Sequence, residues 1–326
     1  MSSMRPSADP RRVLVTGGTG FVGSNLVRRL LAGGHDVSVL VRSVRDPWRL
    51  TDVSDKVRWI EAAIEDGAAL RAILADSKPQ WIFHLAAHGA YSWQVDSELI
   101  LRTNVIGTAN LIDASIEAGF DAFVNAGSSS EYGFKDHPPR EDEPLDPTSP
   151  YAVGKAAATL YCTQAGRTNQ APVTTLRLYS VYGPWEDPRR FIPQLVARGL
   201  EGRLPPLARA STARDFVFVE DVCDAFLVAA SSSVEPGAVY NVGTGRQTTL
   251  LDAVNVARQL FGIGAEPSWG SMDDRVWDTA SWVADCSRLV NIGWRPSIDL
   301  EHGLRITADW LRSRPHLAAR YAVASS

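Results

Sequence analysis

Cysteine is scarce in this chain: Cys162, Cys223 and Cys286 stand far apart and in no paired spacing, which excludes a disulfide framework and a zinc cluster. No metal site is expected, and a reducing, cytoplasmic compartment fits best. A surplus of positive charge is also missing. The 33 Lys and Arg residues against 37 Asp and Glu give a formal net charge of -4, so no polyanion-binding surface is expected and nucleic acid is not an expected partner. No apolar run is long enough to span a bilayer, so no membrane partner is expected either. Met1 to Pro10 are rich in Ser and Pro with no apolar stretch behind Arg5. They are expected to form a disordered leader and not a signal peptide.

What is present is a chain of 326 residues, 45% hydrophobic and 21% charged, the composition of a globular protein with a substantial core. Arg12-Val-Leu-Val-Thr16 is a short apolar run ending in glycines, and Phe21 to Leu31 carries apolar residues at helical spacing. Gly33-Gly34 stops that helix, and Asp36-Val-Ser-Val-Leu-Val41 alternates into a second strand. Strand-like runs recur at 57–60, 81–86, 122–125 and 173–178, mostly with helical segments between them. The fold class this implies is α/β, a doubly wound parallel Rossmann-type sheet. After Tyr179 the regularity breaks, with strand signals at 215–219 and 239–242 and helices at 219–230 and 250–261. A smaller C-terminal α/β lobe is expected there, placed to close over ligands, which in open sheets lie beyond the carboxyl ends of the strands.

Between the first strand and the first helix, Gly17, Gly20 and Gly23 stand three apart in Thr16-Gly-Gly-Thr-Gly-Phe-Val-Gly23. The first permits a tight turn, the second lets backbone approach a pyrophosphate, and the third lets helix pack on sheet. Phe21, Val22 and Gly23 then open a helix whose free amides and partial positive charge suit phosphate. A nicotinamide dinucleotide is the expected cofactor. At the end of the second strand a carboxylate would accept from a ribose hydroxyl, whereas an arginine would pair with a 2′-phosphate. The chain reads Val41-Arg42-Ser43-Val44-Arg45 there, with no carboxylate until Asp46, which favours NADP(H) over NAD(H); the competing reading makes Arg42 and Arg45 a solvated surface pair. The domains expected are a leader over 1–10, a dinucleotide-binding domain over 11–178 and a mainly substrate-binding lobe over 179–326. A segment of that lobe, about 215–242, is expected to return to the main sheet.

Tyr151-Ala-Val-Gly-Lys155 opens a helical run of small residues. Residues i and i+4 share a helix face, so a phenol stands beside an ammonium that favours its ionised form. Taken alone, the same spacing also describes many half-buried tyrosines with solvated lysines. Upstream, Ser128, Ser129 and Ser130 follow a strand end, where hydroxyls can donate to a substrate oxygen but also make caps and turns.

Together with His84-Leu-Ala-Ala87, Thr103-Asn-Val-Ile-Gly-Thr108, Tyr182-Gly-Pro184, Arg214-Asp-Phe-Val-Phe-Val-Glu-Asp221 and Tyr240-Asn-Val-Gly243, these motifs resemble the extended short-chain dehydrogenase/reductase family, in its nucleotide-sugar epimerase, dehydratase and ketoreductase group. The resemblance runs from about Arg12 to Leu311. It implies that Tyr151 is the acid–base, that Lys155 holds the nicotinamide ribose and lowers the tyrosine pKa, and that Ser128 contacts substrate. It further implies cofactor contacts from Leu85, Ala86, Ala87 and Asn104, and a grip on the diphosphate of a nucleotide-diphosphate sugar by Arg214 with Arg275. A homodimer joined by the helices around Asn104 and Tyr151 is the implied assembly.

The departures from that pattern narrow the chemistry. Dehydratases of the group place Asp-Glu or Ser-Glu immediately after the catalytic Ser or Thr, where this chain has Ser129 and Ser130; Glu131 comes a step later, and alternation along an extended segment would point it elsewhere. Ser180 stands where many sugar epimerases carry asparagine, and Ala63 where an aspartate often contacts adenine. His88 and Tyr91-Ser-Trp-Gln94 follow the fourth strand near the expected substrate mouth, His88 being either a second proton donor or a structural hydrogen-bonding residue. The reaction expected is reduction of a 4-keto-6-deoxy sugar nucleotide, with a 4-epimerase as alternative. Dehydration is disfavoured, and a non-catalytic dinucleotide-binding regulator is opposed by the intact Ser128, Tyr151 and Lys155.

Overall fold

A computed structural model describes residues 9–44, 47–271 and 281–323. In chain order its strands are β1 (Arg12–Thr16), β2 (Asp36–Val41), β3 (Arg58–Glu61), β4 (Trp81–His84), β5 (Ala122–Ser128), β6 (Val173–Leu178), β7 (Ser180–Tyr182), β8 (Ala213–Arg214), β9 (Phe216–Phe218), β10 (Ala238–Val242) and β11 (Thr248–Thr249). The helices are α1 (Phe21–Ala32), α2 (Gly67–Ser77), α3 (Ser97–Leu101), α4 (Gly107–Ala118), α5 (Pro150–Asn169), α6 (Phe191–Leu200), α7 (Val219–Ser231), α8 (Leu250–Phe261), α9 (Ser287–Asn291), α10 (Leu300–Arg312) and α11 (Pro315–Val323). A π-helical turn over Arg102–Ile106 joins α3 to α4.

Seven strands form one sheet in the order β10-β6-β5-β4-β1-β2-β3, and the pairings β3·β2, β2·β1, β1·β4 and β4·β5 are parallel. This is the doubly wound Rossmann-type arrangement, whose strand order reverses between β1 and β4. Both faces of the sheet are covered, which is why β1 reads Val-Leu-Val and β4 reads Trp-Ile-Phe as unbroken buried runs. Leu14, Leu40, Ile82 and Phe123 from the sheet pack with Leu70, Leu74, Leu111 and Ile112 from the helices.

Local chemistry sets the helix ends. Asp66 caps α2 by accepting from Ala69 N, and Ser149 caps α5 by accepting from Ala152 N, with Pro150 in the first turn. Lys78 and Gln170 close those helices in the left-handed conformation.

The chain forms two compact units. The first holds the described residues up to 133 with 144–177 and 223–240, and the second holds 134–143, 178–222 and those from 241 onward. In the second unit β7 pairs β9 in parallel and β8 pairs β11 antiparallel. Beside them Ile192, Leu195 and Val196 of α6, Val254 and Ala257 of α8, and Leu304 and Ala308 of α10 build a separate core. Thr249 and Asp252 form a reciprocal capping box on α8. Of the two strand signals at 215–219 and 239–242, the first holds β9, which belongs to a small sheet, and the second falls in β10, an edge strand of the main one.

Helix α10 lies so close to β7 that a Cβ at Gly303 would fall 2.1 Å from the Tyr182 hydroxyl. Gly303→Ala therefore forces overpacking that costs about 1–3 kcal/mol, read as a lower unfolding temperature by calorimetry; an unchanged thermogram would show that α10 shifts freely.

Candidate active site

The glycine loop is built by contact as well as by turn. Gly17 has a φ of +69°, and a Cβ there would lie 2.4 Å from the Leu85 carbonyl carbon and 2.5 Å from Ala86 N, so the loop rests on the backbone that leaves β4. A Cβ at Gly23 would strike the Gly17 carbonyl at 2.2 Å, and one at Gly18 would meet Val39 at 2.7 Å. Gly20 caps α1 without any side-chain bond, so the first-turn amides of Phe21, Val22 and Gly23 have no capping side chain to serve as acceptor. A bare cradle of backbone donors at a helix N-terminus fits the pyrophosphate of a dinucleotide. Arg42 follows β2 and is exposed. Arg45 lies outside the described residues. Arg49 was not singled out from the sequence: its guanidinium stacks over Trp48 at 4.2 Å and donates to the Thr19 carbonyl of the glycine loop at 3.5 Å. Across from the end of β2, Glu61 accepts from Val44 N at 2.9 Å.

The segment after β4 is held by two amide side chains. Asn104, in the π-helical turn, accepts from His88 N and donates to His88 O, both at 2.8 Å. Gln94 Oε1 accepts from Gly89 N and Tyr91 N, and its Nε2 faces His88 Nδ1 at 3.3 Å. Tyr91 and Trp93 stack with ring centroids 4.6 Å apart. Gly89 has a φ of +92°, and a Cβ there would come within 3.3 Å of the Tyr151 Cβ. This places the loop against α5. Leu85 and Ala86 are half-buried and Ala87 is exposed. Below them the buried His84 ring bonds Thr16 Oγ1 at 2.7 Å and Thr108 Oγ1 at 2.8 Å. Burial, with the Lys155 charge, lowers its pKa to about 3.

Tyr151 and Lys155 both sit in the first two turns of α5. Gly154 lets that helix approach the π-helical turn, since a Cβ would stand 3.2 Å from the Asn104 Cβ. Lys155 is buried, and its Nζ donates to the Ala126 carbonyl of β5 at 2.6 Å. Burial lowers its pKa to about 8, against an opposing pull from Glu131. Ser128 ends β5 and caps a 3-10 turn over Ser129–Tyr132. Its Oγ accepts from Ser130 N at 3.2 Å and lies 2.8 Å from Ser130 Oγ, while Ser129 is buried.

Hydrogen bonds, and not strand alternation, fix the Glu131 carboxylate. The segment is a 3-10 turn with a reciprocal capping box, in which Ser128 N donates to Glu131 Oε1 at 2.8 Å. The same oxygen accepts from Thr159 of α5 at 3.0 Å, and Oε2 accepts from Arg177 of β6 at 2.8 Å. Arg177 also donates to the Tyr132 hydroxyl at 2.7 Å. Burial pushes the Glu131 carboxyl above the usual range, and Arg177 with these donors opposes the rise. Spacing alone gave no hint of this pair.

In the second unit Ser180 is half-buried on β7, and its N–H donates to the Asp215 carbonyl at 3.0 Å. Arg214, on β8, stands 5.9 Å from the Trp282 ring. The neighbouring Asp215 is fully buried and accepts from Thr244 N, Thr244 Oγ1, Gly245 N and Ala284 N at 2.6–3.1 Å. That carboxylate fixes the backbone from which Arg214 projects. Arg275 lies outside the described residues.

Removing one member of a buried ion pair leaves the other charge unpaired, at a cost of about 3–5 kcal/mol. Arg177→Met is expected to lose that much in denaturant unfolding, and Arg177→Met with Glu131→Gln less; a double-variant loss equal to the sum of the two single-variant losses would show that the two side chains act independently.

The chain matches the model of the NAD dependent epimerase/dehydratase family over residues 13–243. It is 35% identical to the UDP-glucose 4-epimerase of Mycolicibacterium smegmatis, over 93% of this chain and 99% of that one. Among solved structures, the UDP-glucose 4-epimerase of Thermotoga maritima with UDP-glucose superposes with a TM-score of 0.83 at 29% identity, covering 93% of this chain and 99% of that one. The Thermus thermophilus UDP-glucose 4-epimerase complexed with NAD superposes at 0.80 with 31% identity, over 92% and 99%. With its glycine cradle, Ser128 cap and Tyr151–Lys155 helix in one Rossmann unit, this chain belongs to the NAD dependent epimerase/dehydratase family, an enzyme family within the extended short-chain dehydrogenase/reductases.

Proposed function

We propose that the protein is a 4-epimerase of a nucleotide-diphosphate sugar, using a tightly held nicotinamide dinucleotide. The observation that carries this reading is the fate of Glu131: with Ser128 N, Thr159 and Arg177 on its oxygens, it does not serve as the second acid–base that elimination of water needs. The similarity to UDP-glucose 4-epimerases supports epimerisation over the net ketone reduction expected from the sequence.

The glycine cradle and the α1 amides would hold the pyrophosphate, and Lys155 the nicotinamide ribose. When bound, the cofactor supplies the group that takes up a hydride and returns it. Tyr151 removes the proton of the reacting sugar hydroxyl and gives it back, with the Lys155 charge favouring its phenolate form. The Ser128 hydroxyl, 2.8 Å from that of Ser130, donates to the sugar oxygen and steadies the charge that develops there when Ser130 is the donor between them. Arg214 suits a diphosphate through its paired N–H donors. The outward-facing Leu101, Ile106, Val153 and Leu160 on α3, the π-helical turn and α5 support a homodimer through these helices. The buried thiols of Cys162, Cys223 and Cys286 suit a reducing, cytoplasmic compartment.

The reaction is read by proton NMR of UDP-glucose and related sugar nucleotides with the protein and cofactor. Conversion to the 4-epimer without net change in dinucleotide absorbance is expected, and Tyr151→Phe should slow it by about 10²–10⁴-fold. Stoichiometric consumption of reduced dinucleotide by a keto sugar would instead establish a reductase.

For the cofactor, Arg42 at the end of β2, and Arg49, which donates to the Thr19 carbonyl of the glycine loop, support acceptance of a 2′-phosphate, whereas the relatives support NAD. Titration calorimetry of Arg42→Ala is expected to weaken NADP by about tenfold, the loss of one charge-assisted pair, and NAD by much less. An NAD preference untouched by that substitution would overturn the NADP assignment.

A further inference from the structure

The hydroxyl and imidazole protons around His84 can be placed one by one. Thr108 Oγ1 lies 2.6 Å from the Asn104 carbonyl, which can only accept, so the threonine proton is spent there. At its other contact Thr108 must therefore accept, and His84 Nε2 carries a hydrogen. The ring is fully buried and lies in the field of the Lys155 ammonium, the charged group that acts on it. It is consequently neutral, and Nδ1 presents a lone pair to the Thr16 hydroxyl. Thr16 Oγ1 in turn accepts from Ala86 N at 3.3 Å. Each group in the chain Ala86, Thr16, His84, Thr108, Asn104 thus has one assigned direction.

The ends of that chain fall at two working places. Thr16 is the residue before Gly17. Asn104 grips both backbone groups of His88, in the loop whose Gly89 abuts Tyr151. A π-helical turn holds Asn104, with Gly107 N bonded to the Arg102 carbonyl; such turns occur often at functional sites.

We propose that His84 is a positioning residue: through Nε2–H and Thr108 it fixes the turn that presents Asn104 to the loop beside Tyr151, and through Nδ1 it fixes Thr16 at the root of the glycine loop. Its effect on turnover rests on the epimerase reading above, but its effects on proton placement and cofactor binding do not.

The first test is nitrogen NMR of the full chain labelled in its histidines, with the His84 signal identified by its loss in His84→Gln. Nδ1 unprotonated, Nε2 protonated and no titration between about pH 5 and 8, the range in which an ordinary imidazole changes charge, is the expected result. In Thr108→Val the Nε2–H loses its acceptor and the signal moves; in Thr108→Ser it returns. Thr16→Val should weaken dinucleotide binding roughly 3–10-fold, as loss of one buried hydrogen bond does, while Thr108→Val leaves that affinity within about twofold and lowers kcat by a similar roughly 3–10-fold, with recovery in Thr108→Ser. A titrating His84, an Nδ1–H tautomer, an unchanged dinucleotide affinity in Thr16→Val or failure of serine to rescue would each overturn the proposal. If no nucleotide sugar is turned over at all, the epimerase reading fails, and the NMR and affinity measurements still decide the role of His84.

Discussion

The Glu131 carboxylate receives donors from three elements of the first unit: the backbone where β5 ends, Thr159 on α5 and Arg177 on β6. A buried carboxylate is costly unless each oxygen is occupied, so these elements are bound to one arrangement. The β5 end carries Ser128, and α5 carries Tyr151 and Lys155, so the three residues proposed to react are referred to a common anchor. Gly127 adds a steric condition, since a Cβ there would lie 2.8 Å from Glu131 Oε1.

Around this anchor the unit is assembled by close backbone approach. Gly17 rests on Leu85 and Ala86, Gly23 on Gly17, Gly89 on Tyr151 and Gly154 on Asn104. At each contact the missing side chain lets two segments come closer than any other residue would allow. The polar groups between them, Asn104 and Gln94 above and His84 below, then supply the direction that small residues cannot.

Short-range features were legible in the sequence, and long-range pairings were not. The β-α-β start, the glycine spacing and the Tyr151–Lys155 turn are written within a few residues, because helix and strand periods act locally. The Glu131–Arg177 pair joins residues 46 apart and the Thr16–His84 contact residues 68 apart, so no pattern in either neighbourhood announces them. Glu131 illustrates the difference. Its direction was expected to follow strand alternation, yet the backbone curls into a 3-10 turn and a distant arginine fixes the carboxylate. Arg49 likewise became visible only once its strand-end loop folded back on Thr19. Interleaving of the two units, with 134–143 in one and 223–240 in the other, is also a property of the folded chain, not of its composition.

Lys155 donates to a main-chain carbonyl, that of Ala126. Every amino acid supplies that oxygen, so the side chain at position 126 can drift over evolutionary time while the ammonium keeps its mooring. What cannot drift is the distance between α5 and β5, across which the ammonium reaches that carbonyl at 2.6 Å. The heritable part of this charge is therefore the spacing of the two elements that meet at it.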